Sequence, residues 1–145
     1  MFSNILVPVD GSSTANQAIQ KAAAVAKAFN ARVTVVCIID TYAFTGVGTE
    51  FAYGQDEYLK AATKEANDSI AAARSQFAAN GTDVTATVLE GQAVYKSILE
   101  AAETAGADLI VMGSHGRKGL EKLVLGSVAA QVLSHTHLPV MIVRE

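Results

Sequence analysis

The spacing of apolar positions changes several times along this chain, and each change marks a new element. Ile5, Leu6, Val7, Pro8 and Val9 form an unbroken apolar run after Asn4 and stop at Asp10 and Gly11. Such a run predicts a strand buried on both faces, as in a parallel sheet. Pro8 has no N–H for a ladder bond and therefore belongs near the strand's end. Beyond a turn over Asp10 to Thr14 that is rich in helix caps, Ala15, Ala18, Ile19, Ala22, Val25, Ala26 and Phe29 recur at helical spacing. Gln17, Gln20, Lys21 and Lys27 are left for solvent.

The same alternation continues to the end of the chain. Arg32 to Ile39 is a β-branched run closed by Asp40, and predicts a second strand. Thr41 to Gln55 holds Gly46, Gly48 and Gly54 among four aromatic residues and keeps no period, so a long mobile connection is expected, with or without a function as a lid. A helix is expected over Asp56 to Asn80, with Leu59, Ala62, Ala66, Ile70, Ala73 and Phe77 on one face and Gly81 after its end. Thr82 to Leu89 alternates as a third strand. Val94, Ile98, Ala101, Ala102 and Ala105 give a helix stopped by Gly106, and Leu109 to Met112 a fourth strand. Ser127 to His135 is the last helix and Leu138 to Val143 the fifth strand.

Strands separated by helices imply an α/β fold, an open five-stranded parallel sheet with helices on both faces, in one domain spanning 1–145. With the fourth strand beside the first, the order becomes 3-2-1-4-5, and ligands of such sheets bind where the winding reverses. That order brings Pro8, Val9 and Asp10 next to the stretch from Gly113 to Val128.

This stretch holds the candidate chemistry. Gly113, Gly116 and Gly126 crowd a strand-to-helix crossing, where main-chain N–H groups approach an anion without a Cβ in the way. Gly126 and Ser127 stand at the start of the last helix, and Arg117 and Lys118 add positive charge. Ordinary loop chemistry explains the same glycines, and residue type alone leaves the two readings level. Asp10 is a ribose acceptor or, on residue chemistry, more simply a turn former.

Composition narrows the setting. A net charge of -3 offers no general attraction for nucleic acid or an anionic membrane, so any anion site must be local. Cys37, the single cysteine, sits in an apolar run and permits no internal disulfide. With no signal-like N-terminus and no apolar run long enough to span a bilayer, a cytoplasmic protein is expected. His115 suits phosphate contact or plain exposure better than acid–base work, because no carboxylate partner is evident. His135 and His137 fall at a helix end without a third ligand, so no metal site is expected.

Neither a P-loop string nor the dinucleotide G-x-G-x-x-G after the first strand is present. The spacing Gly113-x2-Gly116-x9-Gly126-Ser127 instead resembles the G-2x-G-9x-G-[S/T] signature of the ATP-binding branch of the universal stress protein family. The likeness runs over nearly the whole chain, from Asn4–Ser12 through Ala107–Arg117 to Leu138–Arg144. It implies the adenine nucleotide alpha-hydrolase-like fold and ATP, with ADP or AMP as alternatives and Mg²⁺ admissible beside the nucleotide. By position, Pro8, Val9 and Asp10 would line the adenosine end with Asp10 on the ribose, Ile38 would meet adenine, and Met112 would pack near the nucleoside. Gly113, His115, Gly116, Gly126, Ser127 and Val128 would surround the phosphates. The resemblance also implies a homodimer through the apolar edge strand 139–143 and a role as stress sensor or regulator, read by an unknown protein partner. A slow ATPase or phosphotransferase using the same pocket, and a nucleotide-free interaction protein, are the competing functions.

Overall fold

Ile5, Leu6 and Val7 are all excluded from solvent because the first strand lies in the middle of a parallel sheet with helices on either side. The computed structural model describes residues 1–44, 52–115 and 125–144. In chain order the elements are β1 (Asn4–Pro8), α1 (Ser13–Phe29), β2 (Arg32–Asp40), a 3-10 turn (Tyr42–Phe44), α2 (Ala52–Ala79), β3 (Val84–Gly91), α3 (Val94–Ala105), β4 (Leu109–Gly113), α4 (Ser127–His135) and β5 (Val140–Val143). The sheet order is β3-β2-β1-β4-β5, every pairing is parallel, and the expected 3-2-1-4-5 arrangement is thereby observed.

Strand alternation divides the core in two. Ile5, Val7, Val33, Val35, Leu109 and Val111 face α1 and α2, where they meet Ala18, Ala22, Ile70 and Phe77. Leu6, Val36, Ile110 and Met112 face α3 and α4 and pack on Ile98, Ala102, Ala129 and Val132. Central strands that bury both faces explain the unbroken apolar runs. The edge strand β3 alternates because Val84, Ala86 and Val88 are covered by the first cluster while Thr85 and Thr87 face solvent.

Three local differences from the sequence reading have physical causes. The connection expected over 41–55 is shorter: Tyr42–Phe44 forms a 3-10 turn, and α2 begins at Ala52. The helix carries Gly54 through its first turns, although glycine costs about 1 kcal/mol relative to alanine in a helix. Start-of-helix packing helps to hold this region, since the Tyr58 hydroxyl donates to the Asp40 carbonyl at 2.7 Å and its ring lies 5.0 Å from that of Phe44. Residues 45–51 of the expected connection lie outside the described residues. Phe29, expected on the buried face of α1, is 43% exposed and covers Phe2 edge-on at 5.4 Å instead of the sheet. It ends the helix, and the chain turns immediately through Asn30 in the left-handed region (φ 53).

Candidate functional site

β1 turns toward β2 and β4 turns toward β5, so the sheet's winding reverses between β1 and β4. Their ladder pairs Ile5 with Leu109 and Leu6 with Ile110, stopping short of Pro8 and Gly113. The carboxyl ends of both strands and the start of α4 meet beyond it.

Alternation decides where each expected residue points. Met112, Ile38 and Val128 come together in the cluster beneath α3 and α4, although they belong to three different elements. Pro8 follows Leu6 onto the same face of β1. Val9 does not: its side chain is buried in the opposite cluster with α1, and its N–H donates to the Val36 carbonyl at 2.8 Å. Asp10 is half-buried, and its Oδ1 accepts from the Ser12 N–H at 2.9 Å, so it does form the local turn. A carboxylate can accept several donors at once, and this bond does not exclude a second partner.

The two glycines that can be placed are needed by the chain itself. A Cβ on Gly113 would stand 2.6 Å from Thr14 Oγ1 and 2.8 Å from Thr14 Cβ, so the first turn of α1 rests directly on the end of β4. A Cβ on Gly126 would lie 2.9 Å from His115 Cα and 3.0 Å from the Ser114 carbonyl oxygen. The Gly126 N–H is also committed, donating to the Ser114 carbonyl at 2.7 Å.

The remaining donors belong to α4. Gly126 caps this helix in an extended conformation (φ -64, ψ 157), and no side chain caps it. The first intrahelical bond is Ala130 N–H to the Gly126 carbonyl, so the N–H groups of Ser127, Val128 and Ala129 have no acceptor within the helix. Ser127 is exposed, and its hydroxyl adds another donor at this partly positive end. Gly116, Arg117 and Lys118 lie outside the described residues.

Two residues that sequence reasoning did not single out tie this end of the sheet together. Ser114 is buried, its N–H donates to the Val143 carbonyl at 2.8 Å, and its hydroxyl shares a hydrogen bond of 3.1 Å with His115 Nδ1. Thr14 is fully buried, and its hydroxyl donates to the His115 carbonyl. No spacing rule connects positions 14 and 115, so only the folded arrangement reveals the pair.

His135 is occupied locally: its Nδ1 lies 2.8 Å from the Gln131 carbonyl and its ring 4.8 Å from Tyr95. Among the described residues no group of three or more His, Cys, Asp or Glu side chains is arranged to hold a metal ion. Nor is any of their helices long and apolar enough to cross a membrane.

Comparison with known proteins gives the same picture of the fold. The universal stress protein MJ0531 of Methanocaldococcus jannaschii is 34% identical to this chain over 146 residues, covering 100% of the chain and 84% of the relative. The universal stress protein UspA of Lactobacillus plantarum superposes with a TM-score of 0.88 at 26% identity, over 98% of this chain and 97% of that one. A universal stress protein solved in complex with cAMP matches with a TM-score of 0.72 at 25% identity, over 99% of this chain and 97% of that one. The Universal stress protein family profile matches residues 1–144, and the chain belongs to that family.

Proposed function

We propose that this universal stress protein binds an adenine nucleotide, ATP in the first place, where the carboxyl ends of β1 and β4 meet the start of α4. The observation that supports this most is the double position of Val128. Its main-chain N–H is one of the donors at the start of α4 that have no acceptor within the helix, while its side chain packs with the cluster that includes Met112 and Ile38. An anion donor and an apolar cluster suited to a base thus share one residue. The relative solved with cAMP adds weight, because its ligand carries adenine, ribose and a phosphate.

In this reading Ile38 and Met112 bear on the adenine end, Pro8 and Val9 line the strand end beside it, and Asp10 accepts from the ribose. Ser127 and Val128 donate to phosphate, joined by His115 and Gly116. Gly113 and Gly126 contribute shape, since side chains there would push into Thr14 and His115. Mg²⁺ accompanies the phosphates as counter-charge. The protein acts in the cytoplasm as a homodimer joined along 139–143, where Met141 is 37% exposed, and nucleotide occupancy is read by a protein partner during stress.

The test is to denature the purified protein, identify any released nucleotide, and titrate the emptied protein with ATP, ADP and AMP by calorimetry. Stoichiometric binding of at least one is expected. An emptied, folded protein that takes up none of the three would end this reading.

A further inference from the structure

The described hydrogen bonds link two helices that lie on opposite faces of the sheet. Thr14 belongs to α1, on one face, and α4 packs on the other. The Thr14 hydroxyl donates its only proton to the His115 carbonyl. In its 3.4 Å contact with Ser12 Oγ it must therefore act as acceptor, which makes Ser12 the donor. His115 in turn lies against Gly126, and the Ser114 carbonyl receives the Gly126 N–H. Gly126 is the residue that begins α4. A continuous series of contacts thus runs from the cap of α1, through the end of β4, to the helix start whose first N–H groups have no acceptor within the helix.

We infer that Thr14 is a positioning residue for the phosphate contacts: by holding the His115 carbonyl, its hydroxyl sets where α4 begins and where the Ser127 and Val128 N–H groups point. This rests on the nucleotide reading above. Thr14 itself is fully buried and presents no surface to a ligand. Its hydroxyl oxygen is both the atom nearest the space left by Gly113 and the donor that orders His115, whereas its methyl contributes packing alone.

The two contributions are separated by Thr14→Val, which keeps the shape and removes the hydroxyl, and Thr14→Ser, which keeps the hydroxyl and removes the methyl. ATP affinity of both is measured beside the unaltered protein, with circular dichroism as the check on folding. A positioning hydroxyl predicts Thr14→Val weaker by about tenfold, the order of one hydrogen bond's net worth, and Thr14→Ser within about twofold of the unaltered protein. Equal affinity in Thr14→Val overturns the inference, as does a loss in Thr14→Ser that matches the loss in Thr14→Val, because the methyl's packing would then be responsible. If Thr14→Val does not fold, Thr14→Ser decides alone: retained affinity supports the role and lost affinity overturns it. An unaltered protein that binds no nucleotide overturns both this inference and the function it rests on, whereas failure of the variants alone leaves that function standing.

Discussion

Gly126 approaches His115 so closely that a Cβ on the glycine would stand 2.9 Å from the histidine Cα. The obstacle is main chain on both sides, since the Ser114 carbonyl oxygen is 3.0 Å from the same point. Neither can rotate away as a side chain would. The glycine that opens α4 is therefore required for packing before any ligand arrives.

Gly126→Ala should accordingly lower both stability and nucleotide affinity. Overpacking of this kind costs about 1–3 kcal/mol, and a chain of this length loses about 2–4 °C in melting temperature per kcal/mol. Differential scanning calorimetry without ligand checks the first part. An unchanged melting temperature would show that the end of β4 yields more easily than its hydrogen bonds to Val143 and Gly126 suggest.

Gly113→Ala tests the opposite face. Its Cβ would meet Thr14 Oγ1 and Thr14 Cβ at 2.6 and 2.8 Å, and Thr14 C at 2.9 Å. Shortening Thr14 to alanine removes only the first of these obstacles. The double variant Gly113→Ala with Thr14→Ala should therefore remain less stable than Thr14→Ala alone, by about 1 kcal/mol or more in urea denaturation.

Ser127→Pro separates the donors of α4 from the helix itself. Proline is tolerated at the first helical position, where its missing N–H has no intrahelical partner. The preceding Gly126 already holds the extended conformation that a following proline requires, with ψ 157. The variant should fold normally and bind ATP about tenfold or more weakly, having lost the N–H and the hydroxyl together. Ser127→Ala, which loses the hydroxyl alone, should fall between this variant and the unaltered protein. Isothermal titration of the three proteins gives the order, and equal affinities would remove the start of α4 from the site.

Tyr58→Phe addresses the segment after β2. The hydroxyl donates to the Asp40 carbonyl at 2.7 Å, while Asp40 Oδ1 accepts from the Tyr42 N–H at 2.9 Å. Because Tyr58 is partly exposed, the expected loss is below about 1 kcal/mol. Its effect should be local, seen as faster amide hydrogen exchange at Tyr42 and Phe44 with the sheet core unchanged.

Met141→Glu bears on the proposed homodimer. Met141 lies in the edge strand β5 and is 37% exposed in the single chain. A charge there, repeated on two copies brought edge to edge, should shift the molecule from dimer to monomer in light scattering. A dimer that persists unchanged at micromolar concentration would place the association elsewhere.

Much of the architecture was legible in the order of residues because burial imposes period. Central strands covered on both faces read as the continuous runs Ile5 to Val9 and Val33 to Ile39, and the buried residues of α1 and α3 recur at helical spacing, as in Ala15, Ala18, Ala22 and Ala26 and in Ile98, Ala101 and Ala102. Gly106 ends α3 in the left-handed conformation (φ 64), where the sequence marked its stop. The start of α2 was not legible: Gly54 reads as a breaker, and what holds the neighbouring segment is a contact between Tyr58 and Asp40 made only on folding.

What the sequence determined by itself is the succession of strands and helices and the family signature, since each is written in local spacing, whereas the reversal of winding between β1 and β4 belongs to the folded sheet. Which atoms meet at that place was decided by tertiary structure. Strand alternation sent Val9 to the core opposite Met112, and Gly113 and Gly126 proved to be filled by Thr14 and His115. Those contacts join positions as far apart as 14 and 115 and obey no local period, because a close approach between separate elements is set by how whole helices seat on the sheet.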